Sequence, residues 1–213
     1  NYELTSAAPS EPDALNWLGT DDQGRDVVAR LVYGFRISVI FALSLTLVSS
    51  VIGVIVGAIQ GYYGGKIDLI GQRLLEIWEG LPMLFMLIIL ASFVESTFTW
   101  LLGLMILFSW PSLVSVVRAE FLRGRHLDYV KAAKALGVKD SKIMFKHILP
   151  NAMIATLTFM PYLFTGALTT LTSLDFLGFG LPLGSASLGE MISQGKENLH
   201  PPWLAITAFI SLS

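Results

Sequence analysis

Two stretches without a single charged side chain limit what this chain can fold into more than anything else in it. Residues 37–59 form a run of 23 and residues 148–174 a run of 27. At about 1.5 Å rise per residue, either run is long enough as a helix to cross a hydrocarbon layer about 30 Å thick. Backbone immersed in lipid must satisfy its own N–H and C=O groups, which leaves helices or closed barrels. The runs are continuous rather than alternating, so they read as helices. Composition agrees: 54% of residues are hydrophobic and 14% charged, against about 25% charged in soluble domains. The expected fold class is all-α, a polytopic transmembrane helix bundle.

Between the runs lies a polar island, residues 118–147. It holds eight of the 14 Lys and Arg (Arg118, Arg123, Arg125, Lys131, Lys134, Lys139, Lys142, Lys146) against three acids, a net of +5 in a chain of net −2. Short loops rich in Lys and Arg stay on the cytoplasmic side, so the island is expected to face the cytoplasm. Asp128 reads as a helix cap. Tyr129, Ala132, Ala133 and Leu136 then recur at helical spacing and form one apolar face, with Lys131 and Lys134 beside it. Gly137 reads as the helix stop. After Lys139, Asp140 or Ser141 starts a second helix, with Ile143, Ile148 and Leu149 along one side, entering the membrane at Pro150. A short apolar face on a cationic loop wants a partner, either a groove on another protein or a lipid surface.

Further spans are expected at 74–94, 98–117 and from Trp203 onward. Residues 1–36 form an outer N-terminal segment and pre-helix, residues 37–213 a transmembrane domain, and residues 175–202 an outer loop. Lys66 and Arg73 mark an inner turn. Gly53 and Gly57 have the spacing that lets helices approach closely, and Pro111 and Pro161 interrupt their helices. Glu79 is a carboxylate beside the membrane. It either pairs with Arg73 or water at the interface or faces a transport route and meets a cationic group there. Thr158, Thr165, Thr169, Thr170 and Thr172 either line a pore or bond to helix carbonyls; the structural reading is preferred.

The chain carries no P-loop, GxSxG or HExxH pattern and no Cys, so neither nucleotide binding through that loop nor those chemistries is expected. Three scattered His suggest no metal cluster. The Gly and Asp pattern in 19–26 lacks the acid spacing of a calcium loop. Cations beside a membrane set topology or touch anionic lipid, so no nucleic-acid role is expected. The reading is a transport subunit rather than an enzyme.

Three stretches resemble one family. YVKAAKALGVKDSKIMFKHILPN is similar to the EAA loop of ABC-importer permeases, with Ala132, Ala133, Gly137, Leu149 and Pro150 matching its pattern. Lys131 stands where Glu is usual and His147 where Ile is usual. GTDDQGRD and SLDFLGFGLP also look like segments of the peptide-importing branch, nearest to the second permease of microcin C and oligopeptide systems. The resemblance implies a type I ABC-importer permease fold, of which this chain holds about five of six helices, with a helix expected before residue 1. It implies multi-pass placement in a bacterial inner membrane. The implied partners are a second, non-identical permease, a periplasmic binding protein, and two ATPase subunits that bind ATP and Mg; this chain would need no cofactor of its own. Its coupling helix would dock on an ATPase through Asp128, Tyr129, Lys131, Ala132, Ala133, Lys134, Leu136, Gly137, Lys139 and Pro150. Alternatives are a nickel-type importer permease, a gradient-driven secondary transporter, or a membrane anchor that transports nothing.

Overall fold

The computed structural model describes residues 10–12, 14, 16–94, 96–182, 184–197, 206, 207, 209 and 210. In order these form α1 (Val27–Tyr63), α2 (Gly65–Glu79), α3 (Met83–Ala91), α4 (Phe98–Ser109), α5 (Pro111–Gly124), α6 (Asp128–Ala135), α7 (Asp140–Lys142), a π-helical turn (Ile143–Ile148), α8 (Leu149–Phe176) and α9 (Leu188–Glu197). Among the described residues the β structure is one bridge, Thr20 to Asp26.

α1 fuses the expected pre-helix and first run into one helix of 37 residues. It begins at Val27 rather than 37 because Asp26 Oδ1 accepts the free Val28 N–H at 3.1 Å. Arg30, in the first turn of α1, is paired with Asp21 and Glu190. Residue 36, the expected edge of the N-terminal segment, therefore lies inside a helix. α1 ends at Gly64, whose φ is 63° and where an added Cβ would collide with the Arg125 guanidinium. The turn expected on the inner side is thus confined to this position, and Lys66 already belongs to α2.

The expected span 74–94 is instead a pair, α2 and α3, bent by 68°. Pro82 offers no N–H to a continuing helix; it opens α3, its carbonyl taking the Met86 N–H at 3.1 Å. The span at 98–117 is likewise α4 and α5, bent by 41°, and its break falls at Trp110 and Pro111 as the sequence suggested. α5 runs on to Gly124, so residues 118–124 of the island are helical and not loop. The helix stretch 140–176, including the π turn, is the other one long and apolar enough to cross a membrane unaided. With each bent pair taken as one span, up to four spans lie among the described residues. Trp203, expected to open a fifth, is outside them. Thr158 and Thr165 donate their hydroxyls to the carbonyls of Ile154 and Pro161, at 2.9 and 3.0 Å, the structural use preferred from sequence. The stretch 175–202, expected as an outer loop, contains a helix, α9, and its residues 198–202 lie outside the described residues.

The described residues divide into two compact units, one within Asn1–Leu43, Leu87–Leu102 and Gly166–Ser213, the other within Ser44–Met86 and Gly103–Thr165. The second has a continuous apolar core: Ala58 and Tyr62 of α1, Leu113, Val117 and Phe121 of α5, Val130 of α6, Ile143, Met144 and Ile148 of the π turn, and Ala152 of α8. Three glycines let α1 and α5 meet almost backbone to backbone. A Cβ on Gly53 would lie 2.9 Å from Trp110 O, on Gly57 2.7 Å from Val114 O, and on Gly61 2.5 Å from Arg118 O. Such close approach is what small residues provide in membrane helix pairs. The opposite side of α1 exposes Leu43, Leu47, Val51, Ile55 and Ile59 at four-residue steps, an apolar stripe suited to lipid or another apolar helix.

Candidate coupling site

The centre of the polar island is α6, eight residues long. The chain leaves α5 through Arg125, His126 and Leu127, whose N–H groups bond back to Phe121, Arg123 and Gly124. Leu127, extended at φ −69° and ψ 144°, is the N-cap. Asp128 is therefore the first helical residue and not the cap expected of it. Its carboxylate lies at the positive end of the helix dipole and pairs with Lys131 at 3.4 Å. Both groups are well exposed, so that pair contributes little.

The far end of α6 is a Schellman closure. Gly137 N–H bonds to Lys134 O at 3.0 Å and Val138 N–H to Ala133 O at 3.1 Å, with Gly137 at φ 76°. This geometry requires a left-handed residue after the helix, and Gly adopts it without a Cβ clash. Val138 then packs on the core. Lys139 caps α7 in an extended conformation. The π turn ends two residues before Pro150. A proline there supplies no N–H to the carbonyl four residues back and crowds it, which favours the wider turn, and Leu149 N–H bonds to Met144 O instead.

α6 presents two different faces. Val130, 2% exposed, is sunk in the core, with Ala133 packed beside it. The face expected to be apolar and shared by Tyr129, Ala132, Ala133 and Leu136 is turned outward except for Ala133. Leu136 is 84% exposed and Tyr129 45%, and Ala132 is exposed. Lys131, Lys134 and Lys139 surround this patch and are exposed, as is Pro150 beyond it. Tyr129 also reaches back, its hydroxyl donating to His147 O at 3.3 Å. The result is an apolar knob ringed by cations, on a helix anchored from below.

The anchoring is specific. Arg118 of α5 makes a two-pronged pair with Asp68 of α2, one arm at 2.7 Å, a geometry that fixes orientation. Gln72 Nε2 donates to Gln60 Oε1 at 2.9 Å. Tyr62, at the end of α1, donates its hydroxyl to Asp140 Oδ1 at 2.6 Å, accepts Arg125 Nη1 on its carbonyl at 3.3 Å, and has Lys134 Nζ 5.9 Å from its ring centre. Glu79 is exposed at the last turn of α2, next to the bend. The partner considered for it, Arg73, is bound instead to Glu76. No group of His, Cys, Asp and Glu among the described residues could hold a metal ion.

The other unit holds a polar cluster that sequence reasoning did not find. Asp21, 0% exposed, accepts the N–H groups of Gln23 and Arg25 at 3.0 and 2.8 Å and Arg25 Nε at 2.7 Å, and also pairs with Arg30. Arg30 Nη2 reaches Glu190 of α9 at 2.8 Å. Burial pushes the Asp21 carboxyl up, but the hydrogen bonds from Arg25 and Arg30 outweigh it and hold the group below its ordinary value. The GTDDQGRD stretch is thus a clasp between the start of α1 and α9. At the end of α8, Asp175 organises the SLDFLGFGLP turn, accepting Leu181 N–H at 2.7 Å and the Ser187 hydroxyl at 2.6 Å. The resemblance of GTDDQGRD and SLDFLGFGLP to family segments marked both stretches but gave neither carboxylate its partners.

The chain is similar to known proteins along most of its length. Residues 49–213 match the family model described as binding-protein-dependent transport system inner membrane component. The chain is 61% identical over 213 residues, all of its length, to the inner membrane ABC transporter permease protein YejE of Escherichia coli K12. It is also 61% identical over 199 residues, 93% of its length, to the peptidoglycan transport system permease protein YejE of Agrobacterium fabrum. With the oligopeptide transport system permease protein OppC of Bacillus subtilis it shares 36% over 206 residues, 95% of this chain and 68% of that protein. The chain spans 62% of the length of the first of these relatives and 52% of the second.

Proposed function

The chain belongs to the family of binding-protein-dependent transport system inner membrane components, and from that premise we propose that it is the membrane-spanning subunit of an ATP-driven importer for peptides or peptide-bearing molecules. The observation that carries the reading is the two-sided α6, one face built into the core of its own chain and the other an exposed apolar knob among lysines. Such a knob suits a cleft with an apolar floor and acidic rim on a cytoplasmic ATPase. Tyr129, Ala132 and Leu136 would fill the floor. Lys131, Lys134 and Lys139 would meet the rim. Asp128, Ala133, Gly137 and Pro150 would set where the helix starts, rests and ends. Closure of two ATPase subunits on ATP and Mg would push α6, and the route would open to one side of the inner membrane and then the other. The chain itself would perform no covalent step. A non-identical second permease, a periplasmic binding protein and membrane lipid complete the proposed assembly.

The cargo is inferred from chemistry common to the relatives. Their names speak of oligopeptide, dipeptide and peptidoglycan transport, which share a short peptide; a microcin C-like peptide conjugate would fit the same class. This favours the peptide reading over a nickel-type importer. Glu79 is the proposed contact for a cationic group on the cargo, since it stands exposed at a bend between helices. The test is purification of the full-length protein from membranes with mass identification of the subunits bound to it, together with uptake assays. Co-purification of an ATPase and ATP-dependent peptide uptake are expected. Uptake driven by an ion gradient with no ATPase bound would overturn the proposal.

A further inference from the structure

One residue holds the polar island at three separate points. The carbonyl of Tyr62 takes Arg125, just before α6; its ring faces Lys134, in the last turn of α6; its hydroxyl binds Asp140, where the chain resumes helix after Gly137. Tyr62 is itself 7% exposed and part of the core that receives Val130. It sits in the final turn of α1, an uninterrupted helix back to Val27. A helix of eight residues between two short turns is marginal alone. Val130 and Ala133 rest on the core and Tyr129 reaches His147 O, but none of these ties the turns on either side of α6. Attachments before, within and after it remove that freedom.

We propose that Tyr62 is the positioning residue that makes α6 and α1 move as one body, so that force on the exposed face of α6 reaches the membrane through α1. This rests on the importer reading above, in which α6 is where force arrives. Tyr62 touches neither cargo nor nucleotide and acts through Asp140, Lys134 and Arg125. The hydroxyl bond to the Asp140 carboxylate is the strongest element of the set, because hydrogen bonds to charged groups exceed neutral ones.

These 213 residues hold no cysteine; with any cysteine elsewhere in the assembly replaced, spin labels are placed at Tyr63 and Ala135, both exposed, in the full-length protein within its purified assembly. Distances are measured without nucleotide and with ATP and vanadate. The unmodified core should give one narrow distance, the same in both states. Tyr62→Phe, which keeps the ring and removes the hydroxyl, should raise the population of a second, detached distance roughly tenfold, the loss of one hydrogen bond to a charged acceptor. Asp140→Ala, at a half-exposed position, should do the same if Tyr62→Phe fails to assemble, and the double variant should be no worse than either single one. A distance that changes between the two states without substitution, identical distributions with and without the hydroxyl, or additive effects in the double variant would each overturn the proposal. An assembly that contains no ATPase would instead overturn the importer reading, and the two failures are told apart by protein composition alone.

Discussion

Replacing Gly61 by Ala adds one methyl group, and the structure says where it goes. The new Cβ would sit 2.5 Å from Arg118 O and 2.6 Å from Phe121 Cβ. Carbon atoms rest comfortably about 3.5–4.0 Å apart, so α1 and α5 would have to separate by roughly 0.9 Å at this point. Neither neighbour can rotate away, since one is a backbone carbonyl and the other a Cβ. Overpacking of this kind costs about 1–3 kcal/mol, and a rigid site belongs at the upper end. Against it stands the better helix propensity of Ala, about 1 kcal/mol. The net expectation is a loss of about 2 kcal/mol. Gly103, in α4, provides the control, because a Cβ there meets nothing within 4 Å. Gly103→Ala should therefore gain up to about 1 kcal/mol from propensity alone. The two variants of the full-length protein, unfolded thermally in the same detergent, should differ by about 3 kcal/mol, which is more than a hundredfold in the folding equilibrium. Equal stability of the pair, or a Gly61→Ala protein firmer than the original, would refute the close approach of α1 and α5.

Gly137→Val forces a β-branched residue into φ 76°, at a cost of about 2 kcal/mol; α6 should end wrongly and ATP-driven uptake should fall about tenfold, so full uptake would count against the closure described for it. Asp21→Asn should destabilise the protein by about 3 kcal/mol near neutral pH, because it leaves part of a buried charge pair uncompensated. The native Asp21 has a lowered pKa, so its contribution is complete above the ordinary carboxylate range and is lost as pH falls through the folded value. Acid unfolding curves of the two proteins should converge below about pH 4; a constant gap down to lower pH would argue against a depressed Asp21.

Much of this architecture was legible. The uncharged runs, the stop at Gly137 and the break at Pro111 each obey a rule about one residue or one stretch. What misled the sequence reading were features settled by distant partners. The pre-helix and the first uncharged run were read as separate, yet Asp21 and Glu190, the latter 160 residues from Arg30, neutralise that arginine and α1 runs through both. Hydropathy sums alike over a straight helix and a broken one, so the bend between α2 and α3 was hidden inside one expected span. Asp128 has the chemistry of a cap, but the tight exit from α5 delivers Leu127 to that position first.

The reading of α6 was incomplete in an instructive way. Periodicity found an apolar stripe that wants a partner, and the chain leaves Leu136 in the open; what it did not find is that Val130, outside the stripe, is the residue the chain buries. A fully exposed leucine forgoes roughly 2 kcal/mol of transfer free energy, on a helix too short to stand alone. A surface residue free of other demands would be polar there. The two faces are useful only together. An exposed knob on an unanchored helix would swing without moving anything, and an anchored helix with a polar outer face would offer a partner nothing apolar to grip. The anchor was hard to foresee because Tyr62, which binds on both sides of α6, belongs to α1. Patterns within a segment show that an apolar face wants cover; only the packing of other segments shows whether its own chain supplies that cover or leaves it to a partner.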